Sequence, residues 1–218
     1  MSVRRELELI PRTVVIALAA SMPACSSAKE TTPSPAPVAS TDQPGASAAS
    51  SSRAIPCSAM EPTARLAGFF AAHAIWSVSD GETLVTFVGS ETSDGHREID
   101  RFVTDESVTR AREHLLENPQ HVARAVLAFD GYVDAPDAKT AAIRLEAREY
   151  GLEARSFEIV VPYRNAKSRV GLAVYRPKLL NVPPGLNDCG SLLDAFWAGV
   201  GSHEVASKVW NAHADQSR

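Results

Sequence analysis

Between residues 141 and 150, Ile143, Leu145 and Ala147 alternate with Arg144, Glu146 and Arg148. A period of two puts these sets on opposite sides of a pleated strand, so one face must be buried while the other meets water or charged partners. Three neighbouring segments, near Ala123 to Val133, Ser156 to Tyr163 and Arg169 to Tyr175, are also strand-like and are joined by short polar or Gly-containing turns. Such short connections favour pairing of consecutive strands, and the region is predicted to form a four-stranded antiparallel meander. Arg144, Glu146, Arg148 and Glu158 then make a mixed-charge sheet face, to be weighed as a binding surface against a merely solvated one.

The flanking sequence changes period. Leu66, Phe69, Phe70, His73 and Trp76 recur at helical spacing, with Pro62 suited to a first turn and Asp80-Gly81 to a stop. An apolar strand is expected from Thr83 to Gly89, a turn at Ser93-Asp94-Gly95 and a return strand near Glu98 to Val103. A second helix, roughly Glu106 to Asn118, carries acidic residues in its first turn and stops at Pro119. Asn187 or Asp188 can cap a helix bearing Leu192, Leu193, Phe196, Trp197 and Val200. Gly199 and Gly201 are expected to break that run, and Ser202 to cap a last helix carrying Val205, Val209 and Trp210.

These pieces define an α+β fold class: an antiparallel sheet with a four-stranded meander, packed by an N-terminal helix, a middle helix and C-terminal helices over one face. Trp76, Trp197 and Trp210 are expected to fill the core, against the alternative of an aromatic ligand platform. His73, on the apolar side of its helix, is expected to be a hydrogen-bonded core residue.

The first residues have a different character. Arg4, Arg5 and Arg12 precede an uncharged apolar run from Thr13 to Met22, which ends at Pro23-Ala24-Cys25. Charged, apolar and small-residue regions in that order are the layout of an export signal. The ten-residue apolar run would, as a helix, cover about half of a hydrocarbon core roughly 30 Å thick, too little for a permanent span.

Met22-Pro23-Ala24-Cys25 resembles the lipobox of bacterial lipoproteins, with Met22 where Leu is commoner and with Glu6 and Glu8 diluting the basic region. The resemblance covers the leader alone. It implies acylation of Cys25, which becomes the mature N-terminus and attaches the protein to a membrane. More than one acyl chain is implied, and at about 0.8 kcal/mol per buried methylene two chains anchor stably where one does not. Ser26, rather than Asp, after the cysteine implies the outer membrane over the inner one in a Gram-negative cell. The alternative is an ordinary cleaved secretory leader.

From Ser26 to Pro56 the chain consists largely of Ser, Ala, Thr and Pro. That composition offers too little apolar surface to offset chain entropy, so a disordered tether is expected, with a root-mean-square span of about 30 Å. The expected organisation is a leader over 1–24, a lipidated cysteine and tether over 25–56, and one folded domain over 57–218. Removing the leader takes away Arg4, Arg5, Arg12, Glu6 and Glu8, which moves the formal net charge from −4 to −5. A mildly acidic chain without a basic stripe is a poor match for nucleic acid. The expected partners are the membrane, through the lipid, and an envelope protein, glycan or small ligand.

With Cys25 lipidated, Cys57 and Cys189 remain as an even pair in an oxidising compartment. A disulfide between them would close a loop of over a hundred residues, for which the chain-entropy model gives about 4 to 5 kcal/mol less any native-state strain. The alternative takes Cys189 as a nucleophile at a helix start, where the thiolate is favoured. Asp188-Cys189-Gly190-Ser191 resembles the Asp-Cys-Ser-Gly motif of cell-wall cysteine peptidases and the Cys-Gly-Ser opening of papain-like enzymes. That resemblance implies a hydrolase with a catalytic His on later sheet structure. Here the sequence after Cys189 is helical, carrying His203 and His213, and Leu192-Leu193 stands where papain-like enzymes have Cys-Trp, leaving His73 or His96 to approach from earlier in the chain.

No cofactor or metal is expected. His203-Glu204 lacks the second histidine of a zinc helix, and there is no phosphate-cradling glycine loop or Gly-x-Ser-x-Gly elbow. The leading functional expectation is a non-catalytic binding or interaction module, with the Cys189 hydrolase as its alternative.

Overall fold

The computed structural model describes residues 57–134, 139–182 and 190–215. The leader, Cys25, the tether, Asn187, Asp188 and Cys189 lie outside the described residues. A 3-10 turn, Cys57–Met60, leads into α1 (Glu61–Ser77), followed by β1 (Phe87–Glu91), β2 (Arg97–Arg101), α2 (Ser107–Glu117) and β3 (Arg124–Asp134). Then come β4 (Lys139–Glu149), β5 (Arg155–Arg164), β6 (Ala173–Val174), β7 (Lys178–Leu180), α3 (Gly190–Ser202) and α4 (Ala206–His213). Among the described residues no helix is long and apolar enough to cross a membrane.

The sheet is antiparallel, in the order β2-β1-β3-β4-β5-β6, and β7 also pairs with β5. β3 through β6 form the expected meander. β1 pairs with both β2 and β3, so β2 and β3 run parallel to each other with β1 between them, and α2 supplies the crossover that such a connection requires.

The alternation in β4 sorts its side chains as expected. Ile143, Leu145 and Ala147 are fully buried and face a core containing Phe70, Ile75, Val126, Ile159, Phe196 and Trp210. The helices, however, do not all lie over that face. α1, α3 and α4 cover it, while Ala111 and Leu115 of α2 pack against Val88, Ala125 and Leu127 on the other.

Two strands are shorter than expected, because other partners claim their backbone groups. The Leu84 N–H donates to Asp130 Oδ2 at 2.9 Å instead of to a neighbouring strand, so β1 begins only at Phe87. Around residue 170, Arg164 Nε and Ser168 Oγ both donate to the Gly171 carbonyl, at 2.9 and 3.0 Å, and Gly171 has φ +74°. The chain is held in a turn there, and β6 begins at Ala173.

α1 ends where Asp80-Gly81 predicted, with Pro62 in its first turn. α2 begins at Ser107, one residue past Glu106, so its first turn carries no acidic residue; it ends at Asn118 in the left-handed region, φ 48°. In α3 the structure departs from the sequence reading. The helix runs through Gly199 and Gly201 to Ser202. A Cβ on Gly199 would collide with the Arg65 carbonyl, and one on Gly68 with the Phe196 carbonyl. The two helices therefore cross with backbones in contact, and tertiary packing outweighs a propensity cost of about 1 kcal/mol per glycine. Ser202 does not cap α4: its hydroxyl donates to the Gly199 carbonyl at 2.7 Å, and His203 Nδ1 accepts the Ala206 N–H at 3.3 Å.

The tryptophans divide. Trp210 is buried in the core, whereas Trp76 and Trp197 are 43% and 36% exposed. Trp76 continues the Phe69 and His73 face of α1, which borders the core rather than forming its centre.

The glycines of α3 have opposite environments, which gives a test of the crossing. Gly199→Ala should lower stability by about 1 to 3 kcal/mol through overpacking. Gly201→Ala, whose Cβ meets nothing within 4 Å, should raise it by up to about 1 kcal/mol. Urea unfolding midpoints of the two variants should therefore move in opposite directions.

Candidate binding cleft

The outward face of β4 is lined by charge. β4 and β5 pair Glu146 directly opposite Glu158, an arrangement that alone would be repulsive. Each carboxylate is neutralised separately. Arg112, reaching across from α2, binds Glu146 through Nε at 2.9 Å and through Nη2, which holds its guanidinium more firmly protonated than usual. Arg144 donates to Glu158 from Nε at 2.7 Å and from Nη2, and Asn181 Nδ2 supplies a third donor at 2.8 Å. Glu158 is almost fully buried beneath these groups. Asn181 occupies the left-handed region, φ 49°, which asparagine tolerates better than most residues.

Beside these pairs, α2 and the β4–β5 floor enclose a cleft of about 280 Å³, lined in part by Arg112, Leu115, Leu116, Arg148, Ser156 and Asn181. Tyr150, two residues along from Arg148, links the sheet to α2. Its hydroxyl donates to the Leu115 carbonyl, burial pushes its pKa up to about 12, and the Arg148 guanidinium stands 5.7 Å from its ring centre. The cleft thus combines fixed donors and acceptors with the apolar edge of Leu115 and the 57% exposed Leu116, the mixture expected of a ligand site. Arg144, Glu146, Arg148 and Glu158 were legible as a charged face. Arg112, Tyr150 and Asn181 were not, since they are joined to it only by contacts across 34, 35 and 23 residues of sequence.

A second polar cluster lies on the helical side. His73 Nδ1 and His203 Nε2 are 3.4 Å apart, with Phe69 stacked on His203 at 4.6 Å and Trp76 beside His73. With His203 Nδ1 accepting the Ala206 N–H, Nε2 is the nitrogen left to donate to His73 Nδ1. The described residues contain no group of three or more histidine, cysteine, aspartate or glutamate side chains that could hold a metal ion. Burial, then the neighbouring His203 and Arg101, push the His73 pKa down to about 4, and burial lowers that of His203 as well.

His96 lies in the β1–β2 turn against Glu98 at 3.3 Å, and His73 is engaged by His203. Cys25 and Cys189 lie outside the described residues, and Cys57 opens the 3-10 turn before α1.

Comparison with protein-family models, curated proteins and solved structures found no match.

The histidine pair sets a pH dependence. Both pKa values lie below the ordinary 6.5, so as pH falls the unfolded chain takes up protons first. Stability from the neutral pair is complete above about pH 6.5 and is lost as pH falls towards 4. His73→Phe keeps an aromatic ring there and removes the titration. Thermal midpoints followed from pH 7 to 4 should fall more steeply for the wild type than for this variant; parallel curves would refute the assignment.

Proposed function

We propose that the protein is an exported envelope lipoprotein, anchored through acylated Cys25, whose α+β domain is a non-catalytic binding module using the α2–β4–β5 cleft. The observation that carries the binding reading is the cleft itself. Its floor is pre-arranged, because each buried or half-buried carboxylate is clamped by a guanidinium, and little side-chain ordering is left to be done on ligand entry. The anchor reading rests on the order of charged, apolar and small residues ahead of Cys25.

We also propose a disulfide between Cys57 and Cys189. In support, the 3-10 turn that Cys57 opens packs against α3, whose first residue, Gly190, follows Cys189 in the chain. The partner is an envelope protein, glycan or small ligand.

Intact mass of protein purified from membranes tests the anchor and the disulfide together. The expected result is a chain beginning at an acylated Cys25, with two thiols that appear only after reduction. An unmodified N-terminus would overturn the anchor, and a free, low-pKa Cys189 would overturn the disulfide and favour the hydrolase. A photoreactive residue at Leu116 tests the cleft in cells: it should form an adduct that the same residue at Leu152, fully exposed in the β4–β5 connection, does not. Equal labelling at both positions would remove the cleft from the reading.

A further inference from the structure

Within the cleft, one charge has no counterpart. Arg112 is matched by Glu146 and Arg144 by Glu158, whereas Arg148 has no carboxylate partner among the described residues. Its Nε is buried without a hydrogen-bond partner, a state that costs desolvation energy with no compensating bond. Two other arginines share the orphaned Nε, but Arg124 reaches Glu91 and Arg155 reaches Glu153 through their outer nitrogens. Arg148 instead has the face of Tyr150 near its guanidinium, and Ser156 stands opposite it on β5. Tyr150 is itself tied to α2 through the Leu115 carbonyl. The guanidinium is thus backed by a fixed ring, next to a hydroxyl, in a cleft with an apolar rim.

We infer that Arg148 is the anchor of a carboxylate-binding subsite, with Ser156 as an auxiliary donor and Leu115 and Leu116 contacting the apolar part of the ligand. This deepens the binding-module reading and rests on it. The paired charges around the subsite define its selectivity. With Glu146 and Glu158 each neutralised by its own guanidinium, Arg148 leaves one positive charge unmatched, which balances a monoanionic carboxylate but not a dianionic phosphate. The planar fork of arginine matches the two oxygens of a carboxylate, which a lysine ammonium does not. The same chemistry is offered by a small free acid and by an acidic side chain of a protein partner.

The test uses the full chain in detergent micelles, labelled with 15N at arginine, and follows the Arg148 side-chain Nε–H resonance. The probes are acetate, a capped tripeptide with a central glutamate, the same peptide with glutamine, and inorganic phosphate. The expected result is a saturable shift at Arg148 with a carboxylate probe, at a dissociation constant on the order of 1 mM, and little response to the glutamine peptide or phosphate. Tighter binding of the glutamate peptide than of acetate assigns the subsite to a protein partner; the reverse assigns it to a small acid. Arg148→Gln should weaken binding at least tenfold and Arg148→Lys should restore only part of it. A shift spread equally over Arg112, Arg148 and Arg155, or an equal response to phosphate, would overturn the proposal, and this readout on the wild type does not depend on the variants folding. If the Leu116 adduct persists while Arg148 is silent to carboxylates, the carboxylate assignment falls and the binding-module reading stands.

Discussion

The crossing of α1 and α3 at Gly68 and Gly199 is the contact on which the helical half of the domain depends. With no Cβ on either glycine, each helix reaches the other's backbone, Gly199 against the Arg65 carbonyl and Gly68 against that of Phe196. At that separation Phe196 and Leu192 enter the same core as Phe70 and Leu66. The crossing also fixes what lies beyond it. His73 and His203, four or five residues past the two glycines, meet at 3.4 Å, and α4 starts from the imidazole that accepts the Ala206 N–H. The far end is tied down as well: the Asp215 N–H donates to the Val174 carbonyl at 2.8 Å, joining the chain after α4 to β6.

On the other side of the sheet, charge is added to the apolar packing of α2. A register that sets Glu146 against Glu158 is tolerable only because Arg112 and Arg144 approach from different directions, one from α2 and one from within the sheet. Breaking either pair would leave a carboxylate partly shielded from water without its cation, which is more costly than the pair itself is stabilising. α2 is therefore held both by its apolar stripe and by its guanidinium. The same arrangement creates the concavity, since Arg112 spans the gap that Leu115 and Leu116 overhang.

Buried polar groups at the core's edges show the same economy. Asp130 accepts from the Leu84 N–H and from the Tyr163 hydroxyl at 2.8 Å, so one carboxylate both ends a strand and fixes a phenol whose pKa rises through burial. Glu91 accepts from Arg97 at 2.6 Å and from Arg124, with Arg97 also over the Phe69 ring at 4.4 Å. These contacts join α1 to the β1–β2 hairpin, where few apolar side chains are available.

Much of the architecture was legible from local pattern. The alternation through Ile143, Leu145 and Ala147 determined which face of β4 is buried, because a strand's period of two admits one assignment, and the short turns determined that β3 to β6 pair in succession. Pro62 and Asp80-Gly81 marked the ends of α1 through backbone restrictions that act within a few residues. Local pattern could not say which face α2 would cover, whether Gly199 would break a helix or permit a crossing, or which of the three tryptophans would be enclosed. It showed four charged residues on the sheet face but not that Arg112 would pair with Glu146, that Asn181 would join Arg144 on Glu158, or that Arg148 would be left over. Those outcomes depend on groups distant in sequence competing for the same space and the same hydrogen bonds, and only the assembled tertiary structure decides that competition.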